Sequence, residues 1–337
     1  MGFARHRPGT VMKLAGKDCS LPRITIITPC RNGARYITEA IDSVIAQRYP
    51  NLEHIVVDAA SSDATLSLIS RYPAVTVISE PDDGSHDAMN KGVARATGDV
   101  IGFLNVDDVY PDNTLLKVGR IFAATPDIDI VMGNAIVFED DGCGARAIRF
   151  VYAHPLGVWL EESAFGNPGI NGWFFRRSTF DRIGLFDNAF FICADRDFVV
   201  RVALAGMSAV VLHEPTIWYR AHREARTTSR DMANVMPISE ELFRMASNLV
   251  GAAGGTPRVR RVALAWRAFE SAKLIWLQCR RGRLREALRL LIGCSLRQPL
   301  WPVRLTHALI LRRLVRRNYS GGWNMNISLS KPYRPLG

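Results

Sequence analysis

Apolar and polar positions alternate along the first third of the chain in a pattern that switches repeatedly between strand and helix periods. Residues 23–29 (RITIITP) form a β-rich run, and residues 34–47 place Ile37, Ile41, Val44 and Ile45 at helical spacing. HIVVDA (54–59) predicts a second strand, and DATLSLISRY (63–72) a helix with Asp63 as its N-cap. A third strand, AVTVISE (74–80), leads to a helix over 85–97 (SHDAMNKGVARAT), closed by Gly98 before the apolar run 100–104. This β-α-β-α-β-α-β order predicts an α/β fold with a mainly parallel sheet flanked by helices. In such sheets ligands bind beyond the carboxyl ends of the strands. Those ends carry Thr28 and Pro29, Asp58, Glu80, and Asn105 with Asp107.

After about residue 130 the texture changes. DIVMGNAIVFED and RAIRFVYAHP predict antiparallel strands around a turn at 140–144, and residues 155–175 read as a loop rich in Gly, Asn, Pro and aromatics. A helix is expected from about Asp195 to Ala205, then a pair of strands in AVVLHEPTIWYRAH. Beyond Arg230 the pattern is helical to about residue 318, with a Gly-rich break at 251–255.

Composition narrows the class. The 337 residues are 48% hydrophobic and 22% charged, ordinary for a globular protein, and no run approaches the length of a membrane span. The first twenty residues lack the apolar stretch of a secretory signal, and His6 stands where a myristoylation signal needs Ser or Thr. Residues 1–21 are expected to be a flexible leader and 319–337 a flexible tail. Six scattered cysteines without a CxxC pair argue against a zinc site or a disulfide scaffold and point to a reducing cytoplasm. The net charge of +11 is uneven. Residues 231–337 hold 19 Lys and Arg against 5 Asp and Glu, whereas the preceding 230 hold 24 against 27. The basic third therefore predicts a separate module that meets an anionic surface.

The run VIGFLNVDDVYPDN (100–113) carries two adjacent carboxylates, Asp107 and Asp108, at the tip of an oily strand. Either the strand end meets water, or the carboxylates face a cation; buried side by side they would repel by several kcal/mol.

With these pieces in order, residues 23–230 resemble a family 2 inverting glycosyltransferase of the GT-A fold. The resemblance rests on TPCRNG with VVDAASSDAT, on SEPDDGSHDAMNKG followed by FLNVDD, and on GLFDNAFFICADRDFVVRVALAG, in that order and spacing. It implies a nucleotide-sugar donor, UDP being the family's commonest nucleotide, and a Mg²⁺ or Mn²⁺ ion. Asp107 would be the metal ligand, with Asp108 assisting directly or through water. The family's Asp-x-Asp has Asn105 at its first position here, which offers an amide without a charge. Asp58 would contact the base, the other reading being a turn or capping Asp. Thr28, Pro29 and Asn32 would shape the base site, and Asp87, Asn90 and Lys91 would lie against the donor. Asp87 and Lys91 also suit a plain i,i+4 ion pair. Asp195 aligns with the family's general base, while Asp197, about 200° further around the helix, points elsewhere. As a residue type Asp195 would equally serve as an N-cap. His222 would reach the diphosphate, with Arg220 and Arg223 as alternatives, and Trp173 would stack on an acceptor sugar or sit in the core. Acceptors in this family are often glycans or polyprenyl-linked glycans.

The domains expected are thus a leader (1–21), a GT-A domain (22–230), a basic helical extension (231–318) and a tail (319–337). In the extension, GRLREALRLLIG and VRLTHALILRRLVRRN place Leu284, Ala287, Leu288 and Leu291, then Leu311, Leu314 and Val315, among arginines. A helical hairpin follows, either packed on the catalytic domain or set against an anionic inner membrane leaflet. No nucleic-acid signature is present in it. A nucleotidyltransferase would need a Gly-rich basic phosphate loop after the first strand, which TPCRNGARY does not supply. The alternatives are a catalytically inactive GT-A-like scaffold, since Asn105 breaks the acidic triplet, and a basic nucleic-acid-binding protein, given the charge of the last third.

Overall fold

The computed structural model describes residues 20–140, 146–152, 159–166, 169–222, 232–252 and 256–320. Its centre is a mixed eight-stranded sheet in the order β3-β2-β1-β4-β7-β5-β6, with β8 lying along β5. The first four strands, β1 (Ile24–Cys30), β2 (Leu52–Asp58), β3 (Val75–Ser79) and β4 (Val100–Phe103), pair in parallel, as the alternating pattern predicts. Every residue of β1 and β4 is buried, which is why both read as unbroken apolar runs. Successive side chains serve opposite faces: Ile26 joins Ala40 and Val44 of α1 (Ile37–Ile45), while Ile27 joins Ala88, Met89 and Val93 of α3 (Ser85–Arg95). α2 (Thr65–Ile69) opens after Ala64 rather than at Asp63, although the Asp63 carboxylate still accepts the Thr65 N–H at 3.0 Å.

After α4 (Thr114–Ala124) the sheet turns antiparallel. β5 (Ile130–Asp140) pairs with β6 (Arg146–Tyr152) and with β7 (Trp173–Arg176), and β7 closes against β4. Between them lies the short α5 (Leu160–Phe165), and α6 (Ser178–Ile183) follows β7. Phe103, Phe175, Phe180 and Phe186 cluster around Phe198 of α7 (Ala194–Leu204), with the Phe186 and Phe198 ring centroids 4.8 Å apart. Trp173 is 1% exposed and belongs to this core, so it does not offer a face to a sugar.

Two expectations are corrected. The strand pair predicted within 209–222 is one long strand, β8 (Ala209–Arg220), parallel to β5 over Ile130–Phe138 with register shifts at Gly133 and Asn134. The chain packs so closely there that a Cβ on Gly133 would lie 2.0 Å from Thr216 Cγ2. Pro215 within the run gives a turn-like appearance to a strand that merely shifts register. The basic third is also no separate module. α8 (Met232–Gly251), α9 (Pro257–Arg280) and α11 (Trp301–Ser320) contribute Leu242, Ala246, Trp266, Ala308 and Val315 to the same core as Ile27 and Phe198. α10 (Leu284–Arg297) and α11 each pack on α9. Among the described residues no helix is long and apolar enough to cross a membrane. The expected leader, apart from Ser20 and Leu21, and residues 321–337 of the expected tail lie outside the described residues.

Candidate active site

β1, β2 and β4 end at one edge of the sheet, and a cavity of about 730 Å³ opens above them. β4 stops at Phe103, level with Ile27, so the chain crosses over the sheet edge as a turn closed by the Asp108 N–H to the Asn105 carbonyl at 3.1 Å. That turn is clamped by β8: Val109 and Trp218 exchange backbone hydrogen bonds of 3.1 and 2.9 Å. Asn105 and Asp107 therefore face the cavity beside Tyr219 and His222 of the β8 end.

The two adjacent carboxylates part company here. Asp107 is a quarter exposed, and its Oδ2 lies 2.9 Å from His222 Nε2. Asp108 is 1% exposed and faces inward; its Oδ1 accepts the Arg220 N–H at 2.9 Å and its Oδ2 the Asn105 amide at 3.2 Å. Burial, with Asp107 beside it, pushes the Asp108 carboxyl well above the usual carboxylate range. Direct metal ligation by Asp108 is thus corrected: its oxygens are taken by the frame that holds the turn. Arg220 is part of that frame too. It is 3% exposed, its Nε donates to the Asp107 carbonyl at 2.8 Å, and its guanidinium pairs with Asp140 and Glu39 while lying over the Tyr36 and Phe138 rings. The alternative phosphate-facing role for Arg220 falls with this, and Arg223 lies outside the described residues.

Across the sheet edge, Asp195 lines the cavity from the first turn of α7, with Oδ1 accepting the N–H of Arg196 at 2.7 Å. Cys193 is the residue that caps the helix. Asp197 points away, its carboxylate 2.8 Å from Arg201 Nε, as its angular offset predicts. The loop ahead of Asp195 is held from the basic third: Glu241 of α8 accepts the N–H groups of Phe191 (3.0 Å), Ile192 (3.0 Å) and Cys193 (2.8 Å). Arg196 reaches the other way and donates to the carbonyls of Ser163, Ala164 and Gly166 at the end of α5. Burial pushes the thiols of Cys30 and Cys193 up to about 12, so neither offers a thiolate nucleophile.

Several residues expected at the donor are used by the protein itself. Thr28 is buried with Oγ1 3.0 Å from His54 Nε2, and burial holds His54 down at about 4, hence neutral. Asn32 adopts a left-handed φ of 50° and accepts the Ser62 N–H at 2.9 Å, tying the loop after β1 to the loop after β2. Asp58 is fully buried; it accepts the Ser61 N–H at 3.0 Å and the Ser79 hydroxyl at 2.8 Å, besides the Ser61 hydroxyl. In this arrangement its turn-forming reading is the one seen, and base contact would require Ser61 to yield. Asp87 accepts from Asn188 at 2.9 Å, Asn90 exchanges hydrogen bonds with Phe186 at 2.9 Å, and Lys91 bridges Asp87, Glu80 and the Pro81 carbonyl. These three fix the loops flanking the cavity and do not line it, whereas Pro29 does. Asp82, Asp83, Arg31 and Phe191 line it without having been singled out from the sequence. For Asp82 and Asp83 the signal was available, as PDDG immediately precedes the SHDAMNKG helix. Gly84 between them and α3 has φ 121°, and a Cβ there would meet the Phe191 ring at 2.9 Å.

The model of glycosyl transferase family 2 matches residues 25–200, the span that builds the sheet edge, the Asp107 turn and Asp195. The chain belongs to this family. Among curated relatives it is 30% identical over 224 residues to an uncharacterised glycosyltransferase of Mycobacterium tuberculosis, covering 63% of this chain and 82% of that one. A PGL/p-HBAD biosynthesis glycosyltransferase of Mycobacterium bovis is 30% identical over 186 residues, 53% of this chain and 69% of that one. Among solved structures, S. aureus TarS 1–349 in complex with UDP-GlcNAc superposes with a TM-score of 0.58 at 18% identity, over 89% of this chain and 92% of that one. The chain spans 55% of the longer TarS chain. A mannosyltransferase of Pyrobaculum calidifontis, in complex with GDP-Man and Mn²⁺, gives 0.55 at 21% identity, over 92% of this chain and 88% of that one. These likenesses establish the GT-A fold, and family membership makes the chain a glycosyltransferase enzyme.

Proposed function

We propose that this glycosyltransferase moves a sugar with inversion from a UDP-sugar to a glycan or polyprenyl-linked acceptor in surface polysaccharide assembly. The observation that carries the reading is that Asp195 and the Asp107–His222 pair line one cavity from different elements. The acceptor hydroxyl attacks the anomeric carbon, the bond to the diphosphate oxygen breaks, and Asp195 takes the hydroxyl proton.

Four carboxylates, Asp82, Asp83, Asp107 and Asp195, line the cavity against a single guanidinium, Arg31, among the described residues. A diphosphate entering such walls meets net repulsion, so a divalent cation fits. Asp107 and His222 would hold it; a carboxylate oxygen with an imidazole nitrogen suits Mn²⁺ better than Mg²⁺, which prefers oxygen alone. Among the described residues no third His, Cys, Asp or Glu completes a cage, in keeping with a site finished by diphosphate oxygens. When bound, the ion would act as a Lewis acid on the departing diphosphate. Support for UDP comes from the structures of S. aureus TarS with UDP-GlcNAc, set against the GDP-Man complex of the mannosyltransferase.

Calorimetric titration of UDP, dTDP and GDP, each with and without Mn²⁺, tests the donor half. UDP binding that needs metal and fails in Asp107→Ala is the expected result; no metal-dependent binding of any nucleotide overturns it. In Asp195→Asn, UDP affinity should hold within about twofold while turnover falls about 10²–10⁴-fold, the range of a general base. Equal losses in both would remove Asp195 from that role.

A further inference from the structure

α10 carries two apolar rows. One, with Ala287, Leu290 and Cys294, turns inward, with Ala287 and Cys294 buried and Leu290 packed against the cluster of Met236 and Leu277. The other faces outward: Leu284 is 66% exposed, Leu288 56%, Ile292 50% and Leu296 77%. Their four-residue spacing sets them on one face of the helix, and Leu300 and Val303 continue the series through the turn into α11, also largely exposed. A sequence face that looks single is therefore split by the fold, and the half left over has no cover among the described residues. Surface leucines scattered singly need no explanation, but a contiguous aliphatic row marks an interaction surface.

Its surroundings are strongly cationic. From residue 280 to 320 the chain holds eleven arginines and one acid, Glu286. Arg281, Arg283, Arg285, Arg289 and Arg297 are exposed in and around α10, and Arg313 and Arg316 in α11. We propose that the outer face of α10, with the turn into α11, docks on an anionic phospholipid surface, its leucines entering the acyl boundary and its arginines pairing with headgroup phosphates. An aliphatic row edged by long cationic stems is the composition that such an interface accepts. A second copy fits less well, because an isologous contact would set this arginine field against itself. Nucleic acid would use the charge but leave the leucines without a partner, since strand binding relies on aromatic stacking. The proposal is independent of the catalytic reading and is tested without it.

The test is co-sedimentation of the full chain with vesicles of phosphatidylcholine alone and of phosphatidylcholine mixed with phosphatidylglycerol, at low and high salt. Binding to the mixed vesicles should exceed binding to neutral ones at least about tenfold and weaken with salt. The double variant Leu288→Glu, Ile292→Glu should abolish it, and Arg285→Glu with Arg289→Glu should reduce it about tenfold or more. These side chains are exposed, so thermal unfolding of both variants should match the parent. Equal or absent binding to the two vesicle types, or binding indifferent to the leucine variant, overturns the proposal. Self-association in sedimentation velocity that the leucine variant removes, without vesicle binding, would assign the face to a second copy. A preference for an RNA or DNA oligonucleotide over vesicles would assign it to nucleic acid.

Discussion

Glu241 holds Cys193: its Oε2 receives the Cys193 N–H at 2.8 Å, two residues before Asp195. The same carboxylate takes the Phe191 and Ile192 N–H groups, so a helix of the basic third fixes the loop that leads to the candidate base. Without it these three amides of the turn ahead of α7 would need another acceptor. Glu241→Gln keeps the shape but loses the charge and an acceptor. It should lower stability by about 1–3 kcal/mol, from thermal unfolding, and lower kcat about tenfold with little change in the donor KM. A loss confined to donor KM would break the link to Asp195.

His222 and Asp107 make a separable pair. If the proposed ion sits between them, His222→Ala leaves Asp107 as its protein donor among the described residues and should erase a preference for Mn²⁺ over Mg²⁺ while weakening metal-dependent UDP binding about 10- to 100-fold. Titration of each metal in the presence of UDP reads this directly. An unchanged metal preference would place the imidazole outside the ion's shell.

Glu162 on α5 gives a pH dependence of stability. Burial, with Glu161 beside it, raises its carboxyl from 4.5 to about 7. The folded state therefore favours the proton, and stability falls as pH rises from 4.5 through 7, where the unfolded chain has already ionised. Glu162→Gln should be near neutral at about pH 4 and stabilise by about 2 kcal/mol at about pH 8. Thermal melts of both proteins across this range provide the check; equal melting temperatures throughout would mean that Glu162 is solvated.

Gly133 of β5 lies directly against Thr216 of β8. Gly133→Ala would drive a methyl into the Thr216 side chain, whose Cβ lies 2.6 Å from the new atom, and both strands are hydrogen-bonded on either side. A loss of about 1–3 kcal/mol is expected in denaturant unfolding. Because β8 leads into His222 and clamps the Asp107 turn, metal-dependent nucleotide binding should weaken as well.

The parallel half was legible because β1 and β4 are buried on both faces and their helices are amphipathic, so period and burial agree. β8 was not: its register shift and Pro215 look like a turn unless β5 is seen beside it. Nor was the union of the basic third with the core, since Trp266 and Leu242 carry no mark of which domain they face. At the site, the sequence and its resemblance led to Asp107, Asp195, Pro29 and His222 at the cavity wall. Thr28, Asn32, Asp58, Asp87, Asn90 and Lys91, expected at the donor, have polar groups engaged in hydrogen bonds within the protein. A residue type and position can specify hydrogen-bonding capacity, but only packing decides whether that capacity is spent on a neighbour or left for a ligand.

Asn105 looks, in the sequence, like a charge gone missing from an acidic triplet. Its amide nitrogen is instead the donor that a buried carboxylate at Asp108 requires. An aspartate in its place would remove that amide donor and add a negative charge two residues from Asp107. In this scaffold the neutral residue is what lets the neighbouring acid be buried at all, so restoring the familiar motif should weaken the very turn that presents Asp107.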